Sequence, residues 1–328
     1  MTAPAASIVL RTRNRAEMLA AALESLVAQH GVDSYEIVVV DNDSSDKTRE
    51  VVEAAEEKAE TPVRYVLEKR VGVAPPLNRG VAESRARFIA FCDDDQIAAP
   101  DWLARLLEAR DRTGAVYMGG SISLDLPEAK ARLGPVCRVL LGEHDFSGRE
   151  RVVRGKEVPS MGNLIVDREI FDRVGLFSED SRSGGEDTDF TARVRRAGLD
   201  VHIAPEAVMR HMVPPHRLSP EYFRWVSLRW GNILARRDRA GGWFRLLARA
   251  VARSGHALLV TVPRLLVRRL RADRAGILDA RCLLWRAWGH VRSAVTLLVP
   301  KLLPQRRFHA SLDFSREAAI KDRHGGGA

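Results

Sequence analysis

The 328-residue chain has only three cysteines, Cys92, Cys137 and Cys282, far apart and without a CxxC pair. Neither a disulfide framework nor a structural zinc site is therefore expected, and a reducing cytosol fits. No run of about 18 apolar residues is present. The nearest approaches, Ala257 to Val262 and Ala294 to Val299, are flanked by arginines, so no ordinary membrane span is expected. The first residues carry no basic segment, and their apolar stretch stops at Arg11, too short for a secretory signal. GxGxxG and GxxxxGKS/T are both missing, which removes the commonest dinucleotide and P-loop readings. No helix-turn-helix, zinc-finger or RNP pattern appears either, so nucleic acid is not an expected partner despite a formal net charge of +9.

The charge that is present is unevenly placed. Residues 1–204 hold 28 basic and 35 acidic side chains, a net of −7, whereas residues 205–328 hold 24 basic and 8 acidic, a net of +16. With 45% apolar and 29% charged residues the composition is that of a globular protein able to bury a sizeable core. Two regions are expected, an acidic body over 1–216 and an arginine-rich helical extension over 217–328.

In the first region short β-branched runs alternate with amphipathic stretches, the pattern of βαβ units around a mostly parallel sheet. Strands are expected at Ser7 to Leu10, Glu36 to Val40, Val63 to Leu67, Arg87 to Cys92 and Val116 to Ile122. Helices are expected where Leu19, Leu23 and Leu26 share a face, over Asp46 to Lys58, and over Asp187 to Ala197, followed by a strand at Asp200 to Ala204 that ends before Pro205. The stretch through Gly155 reads as loop-rich. Polar clusters follow the strands, and in open α/β sheets ligands bind beyond the carboxyl ends of strands. Asp41 and Asp93 should thus lie on one edge.

Three clusters stand out. Asp93-Asp94-Asp95 directly follows an apolar strand, and adjacent carboxylates need a cation or donors to neutralise them. Oxygen ligands suit Mg²⁺ or Mn²⁺, although an acidic turn before the helix beginning near Pro100 explains the same residues. Gly184-Gly185-Glu186-Asp187-Thr188-Asp189 puts glycines before carboxylates at a helix start, which fits either helix capping or a general base on a closing loop. Arg210-His211 follows the strand-like Val201 to Ala204, and on its own this histidine decides nothing.

Together these segments resemble the family 2 glycosyltransferases of the GT-A fold over roughly residues 5–216. The resemblance is carried by Ser7-Ile-Val-Leu-Arg-Thr-Arg-Asn-Arg15, Glu36-Ile-Val-Val-Val-Asp-Asn-Asp-Ser-Ser-Asp46 and Phe88-Ile-Ala-Phe-Cys-Asp-Asp-Asp95. It continues in Ser160-Met-Gly-Asn163, Val174-Gly-Leu-Phe177, Gly185-Glu-Asp-Thr-Asp-Phe190 and Pro205-Glu-Ala-Val-Met-Arg-His211. Each motif is weak alone; their order and spacing are specific. The resemblance implies an α/β, Rossmann-like fold with a mixed, mostly parallel sheet flanked by helices. It also implies inverting transfer of a sugar from a nucleotide-sugar donor to a hydroxyl of a glycan or lipid-linked acceptor, as in cell envelope polysaccharide assembly.

Residue by residue, it implies that Thr12, Arg13, Arg15, Asp41 and Asp43 surround the nucleotide, with Asp41 at the base. Asn78, Asp94, Gly162 and Asn163 complete the donor-binding set. A divalent metal, Mn²⁺ or Mg²⁺, would be held by Asp95 with Asp93 and His211. Asp187 matches the inverting base, and Glu186 would orient it or the sugar. One departure is Leu77, at a position where the family often has an arginine; Arg79 or Arg70 would have to compensate. Two rivals are a metal-dependent nucleotidyltransferase, disfavoured because Arg11 to Arg15 has no glycine, and a non-enzymatic interaction protein using the basic tail.

In that tail Trp243, Leu247, Val251 and Leu258 form an apolar stripe, with Arg245, Arg249 and Arg253 on another face. Such basic amphipathic helices suit an anionic membrane surface or packing on the body, and the two are compatible. The expected location is cytoplasmic, with peripheral attachment to the inner face of the cell membrane as one outcome.

Overall fold

The computed structural model describes residues 3–127, 132–155, 157–179 and 185–300. The glycine-rich end Gly325 to Gly327, and Gly184 of the glycine pair, lie outside the described residues. Two compact units form. The first takes in residues up to Asp125 together with Glu143–Met212, and the second Leu126–Gly142 together with the residues from Val213 on.

The first unit is a sheet in the order β3-β2-β1-β4-β8-β6-β9-β5, with β7 paired to β9. At its centre β1 (Ala6–Thr12) lies parallel to β2 (Tyr35–Asp41) and β4 (Phe88–Asp93), and β2 is parallel to β3 (Val63–Leu67). These strands are near-continuous apolar runs because both faces are covered. Ile8 and Leu10 point to one core with α1 (Ala16–Val27), α2 (Thr48–Lys58) and α4 (Trp102–Thr113). Val9 points to the other, with α3 (Ala74–Glu83), α6 (Glu169–Val174) and α7 (Glu186–Arg196). The sheet then turns mixed: β8 (Asn163–Asp167) runs antiparallel to both β4 and β6 (Tyr117–Asp125), whereas β6 and β9 (His202–Met212) are parallel. The short β5 (Gln96–Ala98) and β7 (Arg151–Val152) pair antiparallel with β9.

Sequence reading stops the last strand at Ala204; it in fact runs through Pro205 to Met212. The register against β6 jumps from Gly120↔Ala204 to Ser121↔Val208, so Pro205, Glu206 and Ala207 leave the ladder and the proline's missing N–H costs nothing there. Arg210 and His211 are consequently strand residues. Asn163 fills the bulge. Fully buried, its Oδ1 accepts from Trp102 Nε1 at 2.8 Å, and its Nδ2 donates to Ser121 O at 2.7 Å and Ala207 O at 2.9 Å.

The second unit is helical: α5 (Pro135–Leu140), a 3₁₀ turn at Pro215–Leu218, α8 (Pro220–Ala240), α9 (Trp243–His256), α10 (Val262–Leu270) and α11 (Arg274–Leu298). Ser219 and Asp273 cap α8 and α11 by accepting from Tyr222 N and Gly276 N. Gly231 and Gly289 let α8 and α11 approach until a Cβ on either would strike backbone of the other. Asp279 of α11 accepts from the amides of Val136 and Cys137, and Cys137 Sγ lies 3.8 Å from Cys282 Sγ, a proximity their distance in sequence conceals. A π turn at Ala257–Thr261 joins α9 to α10, making one helix from Trp243 to Leu270. Contrary to the sequence expectation, this helix is long and apolar enough to cross a membrane, and almost none of it is buried.

Replacing Asn163 by alanine would strand one indole N–H and two carbonyls in the core, each worth about 1–3 kcal/mol. Urea unfolding of Asn163→Ala should show a stability loss of about 3 kcal/mol or more.

Candidate active site

The register of β1 decides which side chains meet. Thr12 lies opposite Asp41 on β2, and Arg11 opposite Asp93 on β4, so the three strands end level at the carboxyl edge where α/β sheets bind ligands. The turns beyond them are tied together. Asn14 donates its amide to Ser44 Oγ at 2.9 Å and accepts from Ser45 N at 2.7 Å, both Asn14 and Asp43 having positive φ. Asp41 is buried, accepting from Tyr65 Oη at 2.7 Å and Ser44 N at 3.0 Å. Burial and this bond to Asp41 push the Tyr65 phenol up to about 12. Asp43 is exposed and Arg13 half-buried on the same rim.

The aspartate triplet is neutralised from β1 and the turn after it. Arg11 Nε donates to Asp93 Oδ1 at 3.1 Å, and Thr12 Oγ1 to Asp94 Oδ2 at 2.8 Å. Arg15 Nη1 bridges Asp94 Oδ1 and Asp95 Oδ2 at 2.9 and 3.0 Å. Burial holds the Asp94 carboxyl above the usual carboxylate range; Arg15 opposes the shift and Asp95 adds to it. Because β5 pairs Gln96 with His211, His211 Nε2 comes within 3.3 Å of Asp95 Oδ2. Gly162 sits where a Cβ would come 2.6 Å from Asp93 Oδ2 and 2.5 Å from Gln96 Nε2, so a larger residue would displace these two side chains. Gln96 Oε1 is buried without a hydrogen-bond partner.

The start of α7 supplies the remaining carboxylates. Gly185, at φ +96°, turns the chain into the helix. Glu186 Oε1 lies 3.9 Å from Arg11 Nη1, so Arg11 links Asp93 to α7, while Glu186 Oε2 is buried and unpartnered. Asp187 Oδ1 accepts from Thr188 N at 2.6 Å. Burial raises both carboxyls above their ordinary values; Arg11 pulls each back, and the Asp93 charge adds to the rise. Asp189 instead pairs with Arg193 at 2.9 Å, one turn on, and is a helix-surface ion pair. Under this turn Phe190 packs on Phe177, with ring centres 4.6 Å apart, and on Phe171 and Tyr117, holding the carboxylates on a stiff aromatic base.

The structure therefore brings together Thr12, Arg15, Asp93, Asp94, Asp95, Gly162, Glu186, Asp187 and His211. It places Asn163 and Asn78 differently. The Asn163 amide is spent within the fold, and Asn78 exchanges hydrogen bonds with the Phe177 backbone, at 3.0 and 2.9 Å. Leu77 is core, so that position does not face the edge; Arg79 pairs with Glu83, and Arg70 with Glu68 and Glu179. Residues that sequence reasoning passed over are Arg11, Gln96, Tyr65 and Asn42, whose side chain ties down the Glu68–Gly72 loop. Arg11 was findable, being the one charge inside the apolar run of β1.

No group of three or more His, Cys, Asp and Glu side chains among the described residues forms a ready metal cage. Mg²⁺ and Mn²⁺, however, are commonly held by one or two protein ligands with substrate phosphates completing the shell. The Asp95 carboxylate and His211 imidazole, side by side, fit that role.

Residues 7–133 match the family Glycosyl transferase family 2, and residues 88–301 match Glycosyl transferase family group 2. The succinoglycan biosynthesis protein ExoM of Rhizobium meliloti is 29% identical over 246 residues, 73% of each chain. Among solved structures, the mannosyltransferase PcManGT of Pyrobaculum calidifontis, in complex with GDP-Man and Mn²⁺, aligns with a TM-score of 0.54 at 18% identity, over 98% of this chain and 81% of that one. S. aureus TarS in complex with UDP-GlcNAc aligns at 0.54 and 16% identity, over 89% and 91%. At these identities the two structures establish the fold, a mixed GT-A sheet flanked by helices.

Removing the positive charge of Arg11 favours the neutral form of Glu186. In a ¹³C NMR titration its carboxyl should titrate above the ordinary glutamate range, and higher still in Arg11→Gln.

Proposed function

Because the chain belongs to glycosyl transferase family group 2, we propose that it moves a sugar from a nucleoside-diphosphate donor to an acceptor hydroxyl in a single displacement with inversion. The observation that carries this reading is Arg11 joined to both Asp93 and Glu186, which sets the aspartate edge and the α7 carboxylates around one space. Asp41 and Thr12 stand on the side of the nucleotide, and Arg15, Asp93 and Asp94 on that of the diphosphate. Asp95 and His211 would hold a Mn²⁺ or Mg²⁺ ion, which when bound to the diphosphate offsets the charge that builds on the leaving group.

Asp187 is the base in this reading. As the acceptor oxygen bonds to the anomeric carbon, its proton passes to the Asp187 carboxylate, the bond to the diphosphate oxygen breaks on the opposite face, and nucleoside diphosphate leaves. Burial lifts the proton affinity of Asp187 toward the operating pH, where a general base works best. The unpartnered Glu186 Oε2 and Gln96 Oε1 are acceptors awaiting hydroxyl donors, which sugars supply. The likeness to a succinoglycan biosynthesis protein favours a glycan or lipid-linked acceptor, met at the cytoplasmic side of the cell membrane.

A thermal-shift screen of UDP-, GDP- and dTDP-sugars with Mn²⁺ tests donor use; a donor at a hundred times its Kd should add about 2.7 kcal/mol of stability. Nucleoside diphosphate, not pyrophosphate, should be released. Asp187→Asn should lower turnover by roughly 10²–10⁴-fold while the donor-induced shift persists. Near-normal turnover would refute the assignment. Activity should fall on acidification through a midpoint above the ordinary aspartate range, since the base works deprotonated and its pKa is raised. Asp95→Ala should lose the difference between Mn²⁺ and EDTA in donor binding.

A further inference from the structure

The helix from Trp243 to Leu270 has two unlike sides. On one, Leu246 is fully buried and Arg253 Nη1 binds Asp238 Oδ2 of α8 at 2.6 Å, with His290 of α11 on the same carboxylate at 3.0 Å. These contacts fasten α9 along its length to the helical unit. On the other, Phe244 is 87% exposed, Val251 73%, Leu259 79% and Leu270 88%. Large apolar side chains at such exposure, in line on one helix, mark a surface that meets something apolar.

The π turn at Ala257–Thr261 keeps that line straight. At about 100° per residue, an uninterrupted α-helix would carry Val267 and Leu270 roughly 140° and 80° round from Phe244. A π turn takes in about one extra residue, which rotates the following segment back by roughly 100° and returns both to within about 40° of the stripe. The same correction brings Arg264 into phase with Arg245, and Arg268 with Arg249; Arg245 lies 3.6 Å from Asp238 and Arg268 donates to Gly276 O at 2.6 Å, which leaves Arg249 and Arg264 as the outward pair of this edge. Without it Arg264 and Arg268 would swing to the side where Leu246 is buried. The result is a helix of about 42 Å, at 1.5 Å per residue, with an unbroken apolar face and a line of arginines along one edge of it.

We propose that this helix lies flat in the interface of an anionic lipid bilayer, its apolar stripe among the acyl chains and its arginine edge at the phosphates. Charge complementarity selects this occupant: arginines beside an apolar face reach anionic headgroups by snorkelling, and residues 205–328 carry a net +16. A flat placement, not a crossing, follows from the anchored side. A span would take Arg253 away from Asp238 and expose Leu246 to lipid. The proposal does not depend on the donor chemistry.

The full chain should co-sediment with vesicles of equimolar phosphatidylglycerol and phosphatidylcholine at least roughly tenfold more tightly than with phosphatidylcholine alone, and salt should weaken it. The double variant Phe244→Glu, Leu259→Glu, altering two exposed positions, should lose roughly tenfold or more of that binding while keeping the donor-induced thermal shift. Equal binding by the variant, or none by the wild type, would overturn the proposal. A dimer in gel filtration that the variant breaks, with vesicle binding unchanged, would assign the face to a second copy instead. The native cysteines are buried, so Phe244→Cys, Val251→Cys, Leu259→Cys and Leu270→Cys can each carry one fluorophore. Quenching by spin-labelled lipids should place all four at the same depth; a gradient from one end to the other would mean a span.

Discussion

Four carboxylates, those of Asp93, Asp94, Asp95 and Glu186, crowd one edge of the sheet, and two arginines from the first strand and turn allow them to. Like charges about 4 Å apart cost roughly 4 kcal/mol per pair at an effective dielectric near 20, comparable to a large part of a domain's net stability. Arg11 and Arg15 offset this with short ion pairs in a half-buried setting, where screening is weak. Both come from the carboxyl end of the central strand and the turn after it, so the pairing of β1 between β2 and β4 and the assembly of the site are one event. A slip of β1 by a single residue would turn Arg11 to the opposite face of the sheet and leave the triplet uncompensated.

Around that electrostatic centre, polar side chains divide into those that face the edge and those that hold it in place. Asn42 and Asn78 spend their carboxamides on loop backbone, and Asn163 spends its own on the β6–β9 bulge and the Trp102 indole. Asparagine suits this work because one side chain both donates and accepts, satisfying an N–H and a C=O that burial would otherwise penalise. Gly162 adds the complementary device, an absent side chain that lets the Ser160–Asn163 turn touch Asp93 and Gln96. The two acceptors left unsatisfied, Gln96 Oε1 and Glu186 Oε2, thus stand out against a site in which almost every other polar atom is committed.

Much of the first unit was legible in the sequence, because β1, β2 and β4 are short apolar runs ending in polar clusters and α1 shows its leucines at helical spacing. What was not legible depends on partners remote in the chain. Pro205 reads as a strand end until Asn163, about forty residues away, is seen to fill the bulge that tolerates it. A motif also carries residue types without their orientation. Asp187 and Asp189 sit two apart in one helical turn, yet Arg193 claims the second, and Asn163 belongs to a familiar pattern but points into the core. Arg11 was overlooked for the opposite reason: an arginine within an apolar strand reads as an interruption, although a charge in that position is tolerated only when something across the sheet answers it.

The basic extension illustrates the same limit at longer range. Its arginines divide the apolar residues into runs too short to suggest one continuous element, and α-helical phase alone carries Val267 and Leu270 about 140° and 80° round from Phe244. A single π turn changes both conclusions, since it joins the runs without a break and restores their phase. Such turns are rare and occur as single insertions within α-helices. Here the turn follows the part of α9 that Leu246 and Arg253 fasten to the helical unit, and it keeps the later apolar residues in phase with Phe244. Within this helix Arg245 and Arg264, and Arg249 and Arg268, are therefore in phase along one margin of the apolar face, an arrangement suited to surface binding.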